Sequence, residues 1–424
     1  MMRRLMIAVC VMLFWCTLTA AQDSTILQQK DLVDVLNNLR KTKPASKSDQ
    51  LIQKKLYYAP LPIIGYGPAY GFIVGGGLSI SSLLGNAATT RISSGLMNLN
   101  FTTHQQMYLN FRTNIYSRDD EWILQGDWRF MLYAQPTYGL GISDAPIQKF
   151  IFGINGIETA EDPREQPMRF NYIRFHEDAY KKISRSLYAG IGIGIDYHFN
   201  ISDQKLSVDT PAILLTSHYL YSKLNGFNTA RYNTNGVTLN VLYDSRDNAI
   251  NPYKGSYAQL SFHANPTWLG SSKASTSVFI DYRTYLRLIP SKPENILAFW
   301  AWGQFLTSGK MPYLALPSLG WDMYSRSGRG YVQGRIRGEN IFYSEAEYRF
   351  PLTANGFWGG VLFANATTAS NSYTGQHLFS AFAPGYGAGI RLKMSKKTRT
   401  NIGMDLGFGR FNSGGIYFNL QEAF

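Results

Sequence analysis

Two stretches of this sequence set charged side chains among residues that let a chain turn. SGRGYVQGRIRGEN, residues 327–340, holds three arginines and four glycines in fourteen positions. The run IFYSEAEYRFPL follows at once, with Glu345, Glu347 and Arg349 at every second position. Farther on, Asp405 stands between Gly403 and Gly407. These residue types suit guanidinium–carboxylate pairing, because arginine presents a planar fork of donors that matches a carboxylate. The second stretch is DSRDNAINPYKG, residues 244–255. Asp244, Arg246 and Asp247 close an alternating apolar run, and Asn251, Pro252 and Gly255 build a turn before a new one. Alone, it reads as a well-made turn with charged flanks.

Catalytic chemistry is thinly represented. His218, in TSHYLYS, lies beside Ser217 and Ser222 and is the nearest approach to a hydrolytic pair. Six histidines without HExxH or close pairing argue against a metal centre. GIGIGID (190–196) looks like a nucleotide loop but sits inside a strand pattern, so its glycines relieve crowding there. We therefore expect no catalytic residue, no metal and no cofactor.

The elements that position these groups begin with an export signal. Arg3 and Arg4 precede an apolar run from Leu5 to Trp15, and Thr19-Ala20-Ala21 forms a small-residue cleavage site. That describes a signal peptide over 1–21, too short in its apolar part for a membrane anchor. Both cysteines, Cys10 and Cys16, fall within it, which removes disulfides and thiolate metal sites from consideration. Cleavage takes two units from the net charge of +13. The remaining basic residues are scattered, and export leads away from nucleic acid. Anionic lipid headgroups fit better.

No segment beyond the leader reaches the ~18 consecutive apolar residues of a transmembrane helix. The chain is 14% aromatic with 39 glycines, and its mean hydropathy is −0.18. Alternation supplies the missing signal. Met107, Leu109, Phe111 and Ile115 oppose Tyr108, Asn110, Arg112 and Asn114; Ile402, Met404, Leu406 and Phe408 oppose Asn401, Gly403, Asp405 and Gly407. Period-2 patterning marks strands with unlike faces. A soluble sandwich would turn the apolar face inward and a membrane barrel outward, and periodicity cannot separate them. Length favours the barrel, since the runs exceed the ~5–6 residues usual in soluble sheets.

Strands are expected near 68–80, 91–103, 106–118, 121–135, 169–183, 186–201, 235–247, 256–266, 274–288, 295–309, 340–352, 356–370, 383–395, 398–410 and 414–424. The long connections 136–168, 202–234 and 310–339 then fall on one end, and single-chain barrels usually have an even strand number. A further strand must come first, and LYYAPLPIIGYG (56–67) is the candidate, with Gly65-Tyr66-Gly67-Pro68 as its turn. Pro60 and Pro62 remove ladder donors, so a poorly bonded seam is expected between first and last strands. A lead-in linker with closure elsewhere is the alternative. Residues 24–41 carry Leu32, Leu36 and Leu39 on one face and suit a short helix; 41–50 reads as linker.

Together, DSRDNAINPYKG, GRGYVQGRIRGEN, the acidic strand after it and the closing IYFNLQEAF resemble the BamA/TamA surface-antigen superfamily. These are the sixteen-stranded barrels of outer-membrane insertases and two-partner-secretion translocators. The resemblance spans 56–424 and implies a D-x-R-D strand end at Asp244, Arg246 and Asp247. It implies an R-G-[FY] motif in the sixth external loop at Arg329, Gly330 and Tyr331, and an acidic strand at Glu345, Glu347 and Arg349. It also implies a C-terminal aromatic signal at Phe424. Two departures stand out. Residues 22–55 are too few for even one POTRA domain, so this resembles a short form lacking them. The F-x-D-x-G pattern of the next strand reads Phe363-Ala364-Asn365-Ala366-Thr367 here, without its acid.

The implied fold is all-β: a sixteen-stranded antiparallel transmembrane β-barrel with an inward-folded external loop and a short N-terminal helical segment. Glycines allow irregular backbone, tolerated at membrane depth only inside protein or lumen water. Arg329 is thus expected inside, against at least one of Glu345, Glu347 and Asp405. Asp405 is favoured, since Gly403 and Gly407 leave room for a guanidinium, and lumen water should soften the pairing. The implied work is assembly or translocation of envelope proteins or lipids by a monomeric, non-enzymatic barrel in outer-membrane lipid. A scaffold docking a periplasmic partner through 22–55, and a passive pore, are the other readings.

Overall fold

The computed structural model describes residues 29–32, 34–35, 56–67, 71–142, 165–208, 213–290, 292, 294–396 and 399–424. The leader, most of the expected helix over 24–41, the linker and Pro68 lie outside them.

The strands form one antiparallel meander, each paired with its neighbours in sequence. They are β1 (Leu56–Gly67), β2 (Gly71–Ser82), β3 (Ser93–Thr102), β4 (Met107–Tyr116) and β5 (Trp122–Thr137). Then come β6 (Gln166–Lys182), β7 (Leu187–Asp203), β8 (Tyr232–Asp244), β9 (Gly255–Asn265), β10 (Ser275–Arg287) and β11 (Ile296–Gly309). The series ends with β12 (Asn340–Pro351), β13 (Trp358–Ala369), β14 (Ala383–Ser395), β15 (Thr400–Gly409) and β16 (Gly414–Leu420).

The sheet's faces have the inverted polarity. In β15, Asn401, Gly403, Asp405 and Gly407 are buried, while Ile402, Met404, Leu406 and Phe408 are 40–47% exposed. In β8, Thr238 and Asn240 are inside and Leu239 and Val241 outside. A sandwich buries its apolar faces. This sheet encloses its polar face and presents an apolar belt, the arrangement of a wall between lipid and a polar interior.

The sheet curls until its edges approach. A Cβ built on Gly65 of β1 would lie 3.6 Å from the Phe418 ring of β16. Among the described residues no ladder joins the two strands. The β1–β2 register runs through Pro60 and Pro62 without a break. That is the result when their missing N–H groups belong to the opposite edge, toward β16. The last strand is also shorter than the expected 414–424. It stops at Leu420, and Gln421 turns the chain with φ +76°.

The stretch expected as a loop at 202–234 contains a helix, α1 (Ser217–Leu224), N-capped by the Thr216 hydroxyl, which accepts from the Tyr219 amide. Tyr221 of α1 packs with Phe227, Met311, Tyr313 and Leu316 into a small core among the long connections. At the opposite end, the described part of residues 22–55 meets this chain's own turns. The Lys30 amide donates to the Asn355 carbonyl at 3.0 Å, Lys393 donates to the Gln29 side chain at 3.0 Å, and Lys396 pairs with Asp34 at 2.8 Å.

Candidate functional site

The connection from β11 to β12, residues 310–339, folds into the interior as a tongue. Arg329 is 2% exposed there. Its Nη1 donates to Asp405 Oδ2 at 2.8 Å and its Nη2 to Glu345 Oε1 at 2.6 Å; Nη2 also donates to Glu347 Oε1. The guanidinium lies 3.8 Å from the centroid of the Phe363 ring. All three carboxylates meet it, rather than Asp405 in preference. Strand geometry explains this: Glu345 and Glu347 are two apart on β12 and point inward together, and Asp405 comes from β15. Asn365, where the family resemblance calls for an acid, donates to the Arg329 carbonyl at 3.0 Å and to Glu345 Oε2 at 3.3 Å. The softening by lumen water expected above does not fit this burial, since Glu347 and Asp405 are fully enclosed.

Second-rank partners extend the cluster. Arg349 pairs with Glu347 at 2.6 Å, and Arg391 bridges Asp405 and Glu422, reaching the latter at 2.8 Å. The two glycines flanking Asp405 make room for other groups than the Arg329 guanidinium. A Cβ at Gly403 would meet Arg391 Nη1 at 2.8 Å, and one at Gly407 would meet the Gly330 amide at 2.7 Å. Gly330 itself has φ +106°, with Phe408 O only 2.5 Å from a built Cβ. Backbone therefore lies on backbone here, and only glycine permits it. Tyr417 OH accepts from the Gly330 amide at 3.0 Å and donates to the Tyr331 carbonyl at 3.0 Å. Tyr331 OH in turn donates to the Pro384 carbonyl.

The tongue also reaches the facing wall. Arg129 of β5 donates to the carbonyls of Asp322 and Met323 at 3.2 and 3.1 Å, and Asn114 of β4 to Tyr324 OH at 3.0 Å. Tyr133 OH donates to the Gln333 side chain at 2.6 Å. At its root, Arg337 is 2% exposed and donates to the carbonyls of Tyr313, Leu314 and Leu316. Against the tongue lies a cavity of about 290 Å³, lined by Asp281, Arg283, Trp300 and Phe424 and by Trp321 and Tyr324 of the tongue, among others.

The strand-end residues lie at the end of the sheet away from the long connections. Arg246 makes a forked pair with Asp244 at 2.9 and 3.0 Å, and Arg91 reaches Asp244 Oδ2 at 2.6 Å. Asp247 accepts from the Tyr253 amide at 2.9 Å and from Arg399 at 2.8 Å. Arg399 belongs to the β14–β15 turn, so residues 245–254 cross the mouth rather than merely reversing the chain.

Phe424 does not extend the last strand. Its ring packs 5.3 Å from Trp300 and 6.2 Å from Tyr285, and Arg349 donates to its carbonyl at 2.9 Å. Glu422 accepts from Arg391 and Asn401, which draws residues 422–424 inside once Gln421 has turned them. Arg326 of the tongue donates to the Glu422 carbonyl. Sequence reasoning missed Arg391, Asn401, Glu422, Arg91 and Arg129. For Arg391 a signal existed, because its inward position on β14 is as regular as that of Asp405 on β15.

His218 is fully buried, with Nδ1 2.7 Å from Asp203 Oδ2 and the rings of Tyr232 and Tyr313 around it. Ser217 and Ser222 make no hydrogen bond to it. Among the described residues no group of three or more His, Cys, Asp or Glu is placed to hold a metal.

A single antiparallel sheet curled around one of its own connections is the architecture these features define. The Omp85 superfamily domain matches residues 83–396, and the chain belongs to that superfamily of outer-membrane β-barrels. Among solved structures it is similar to BamA from Haemophilus ducreyi lacking POTRA domains 1-3, with 13% identity and a TM-score of 0.54. That likeness covers 87% of this chain and 70% of the other. It is also similar to CdiB from Acinetobacter baumannii, with 13% identity and a TM-score of 0.50, over 95% of this chain and 72% of the other. At such identities the likeness is one of fold. No curated protein matches the chain.

Proposed function

We propose that residues 56–424 form a closed sixteen-stranded barrel in the outer membrane, after a leader (1–21) and a short periplasmic segment (22–55). Its work is assembly or translocation of envelope proteins or lipids. One observation carries this reading: a tongue locked by Arg329 to β12 and β15 lies beside a seam without a ladder. A fixed internal loop and a weak wall together allow controlled passage or strand exchange, whereas a passive pore needs an open interior. The tongue instead spans from β5 to β15. A scaffold role through 22–55 is less favoured, because its described part already engages Asn355, Lys393 and Lys396. Arg329 is bound on three sides by carboxylates, and its role in this reading is mechanical: it locks the loop.

The test is reconstitution into liposomes, following the folding rate of an unfolded outer-membrane barrel. Acceleration by the intact chain, reduced by Arg329→Ala at equal abundance, is the expected result. Stable conductance without acceleration would favour the pore, and neither activity the scaffold. Migration that does not change with heating would remove the barrel itself.

A further inference from the structure

The interior has a second cavity, of about 210 Å³, behind the first strands. Its body is formed by Tyr57, Ile92, Leu96, Ile250 and Met394, and one end by Arg112. The wall there is unusual: β1, β2 and β3 contain no charged residue at all. Leu96 faces inward there and gives the cavity an apolar side chain.

Arg112 is 6% exposed, and its Nε has no hydrogen-bond partner. That Nε lies 3.8 Å from Asp127 Oδ1, outside hydrogen-bond reach. That carboxylate is already held by Arg129 at 2.6 Å and Arg174 at 3.3 Å. Three guanidinium groups thus meet Asp127; Arg174 has Asp196 as well, at 2.9 Å, and Arg112 has the weakest hold. A buried cation with an open donor is costly unless an anion or water meets it.

The other end of the cavity reaches Tyr57 and Tyr58. There β16 has already ended, and Gln421, which also lines the cavity, has turned inward. The first residues of β1 therefore have β2 on one side and, among the described residues, no strand on the other. Tyr58 and Leu56 are 59% and 51% exposed on the apolar side. A cation at one end, an apolar body and, among the described residues, an uncovered end beside the exposed Tyr58 suit one kind of molecule.

We infer that this cavity binds an anionic single-chain amphiphile. Its carboxylate or phosphate meets the Arg112 guanidinium, its chain runs past Leu96 and Met394, and the remainder leaves between Tyr58 and Gln421. The inference rests on the barrel reading above, since the opening must face lipid. A fatty acid and a lysophospholipid share this chemistry, and the experiment separates them.

The purified full chain in non-ionic detergent is labelled with photoreactive analogues of palmitate, lysophosphatidylglycerol and hexadecanol, and the adducts are mapped. The expected adducts from the anionic probes fall at 57–58, 92–96 and 394. The better of the two anionic probes identifies the source. Arg112→Gln should lower that labelling about tenfold, the scale of a lost hydrogen bond to a charged group. Met394→Trp, which narrows the body from β14, should abolish it. Equal labelling by hexadecanol, no loss in either variant, or adducts confined to the outer belt would each overturn the site. Heat-dependent migration is read on every sample. Its loss in the unaltered chain counts against the barrel, whereas lost labelling with retained migration reports on the cavity alone.

Discussion

The two walls beside the seam are built from opposite materials. β12 to β15 bury Glu345, Glu347, Arg349, Arg391, Lys393 and Asp405, and the tongue is fastened there through Arg329. β1 to β3 bury no charge and offer Ser79, Ser81, Gly75 and Gly77 to the interior. Charge-assisted bonds are directional and strong when enclosed. Serine and glycine contacts are neither. One wall fixes the tongue, and the other is left able to shift past it.

The largest expected effect breaks the fixed wall. Arg329→Ala leaves three buried carboxylates without their shared cation; removing one partner of a buried pair costs ~3–5 kcal/mol. Strand pairing should still hold the sheet, while external protease should cut within 322–336, where the intact chain resists. Asp405→Asn should act in the same direction, and the double variant should fall well short of the sum. Simple additivity, or an uncut tongue, would show that the cluster is not the lock.

A smaller effect is expected from Gly330→Ala. A left-handed residue pressed against Phe408 O should lose about 1–3 kcal/mol of local stability. Faster hydrogen exchange at the amides of 328–334, with β8 and β9 unchanged, is the readout. Exchange equal to that of the parent chain would mean that backbone contact does not position the tongue.

The contrast between ladder and seam can be sharpened by crosslinking. Cysteines at 346 and 364, facing each other in the β12–β13 ladder, should join rapidly and completely. Cysteines at 65 and 418 should join several-fold more slowly. Equal rates would make the seam an ordinary strand pair. The smallest effect belongs to the uncharged wall: Gly76→Ala meets nothing within 4 Å and should change stability by less than about 0.5 kcal/mol in chemical unfolding.

Strand positions were legible because each strand separates its faces at period two, and Asp405 or Leu406 shows its side without any long-range information. The inward tongue was legible for a related reason, since Arg329 cannot face lipid and two of its carboxylates, Glu345 and Glu347, share one face of a strand. What the sequence could not show was reach across space. Arg91 meets Asp244 from 153 positions away, and Arg399 meets Asp247 across 152. Neither has a local pattern. The turn at Gln421 was hidden for another reason: glutamine carries no usual signal for positive φ, and the bonds of Glu422 and Phe424 hold it there.

Pro60 and Pro62 have a consequence beyond the weak seam. Residues two apart on a strand direct their N–H groups to the same edge, so the pair blanks two neighbouring sites on one side of β1. An exposed edge is a template for any passing strand, including a second copy of the same chain. With two donors missing in succession, a copy that tried to zip onto β1 would leave carbonyls unbonded in the membrane, where no water can replace them. A visiting strand could stay only by accepting that gap, and so only for a time. The prolines thus make the open edge a place where pairing is brief by construction.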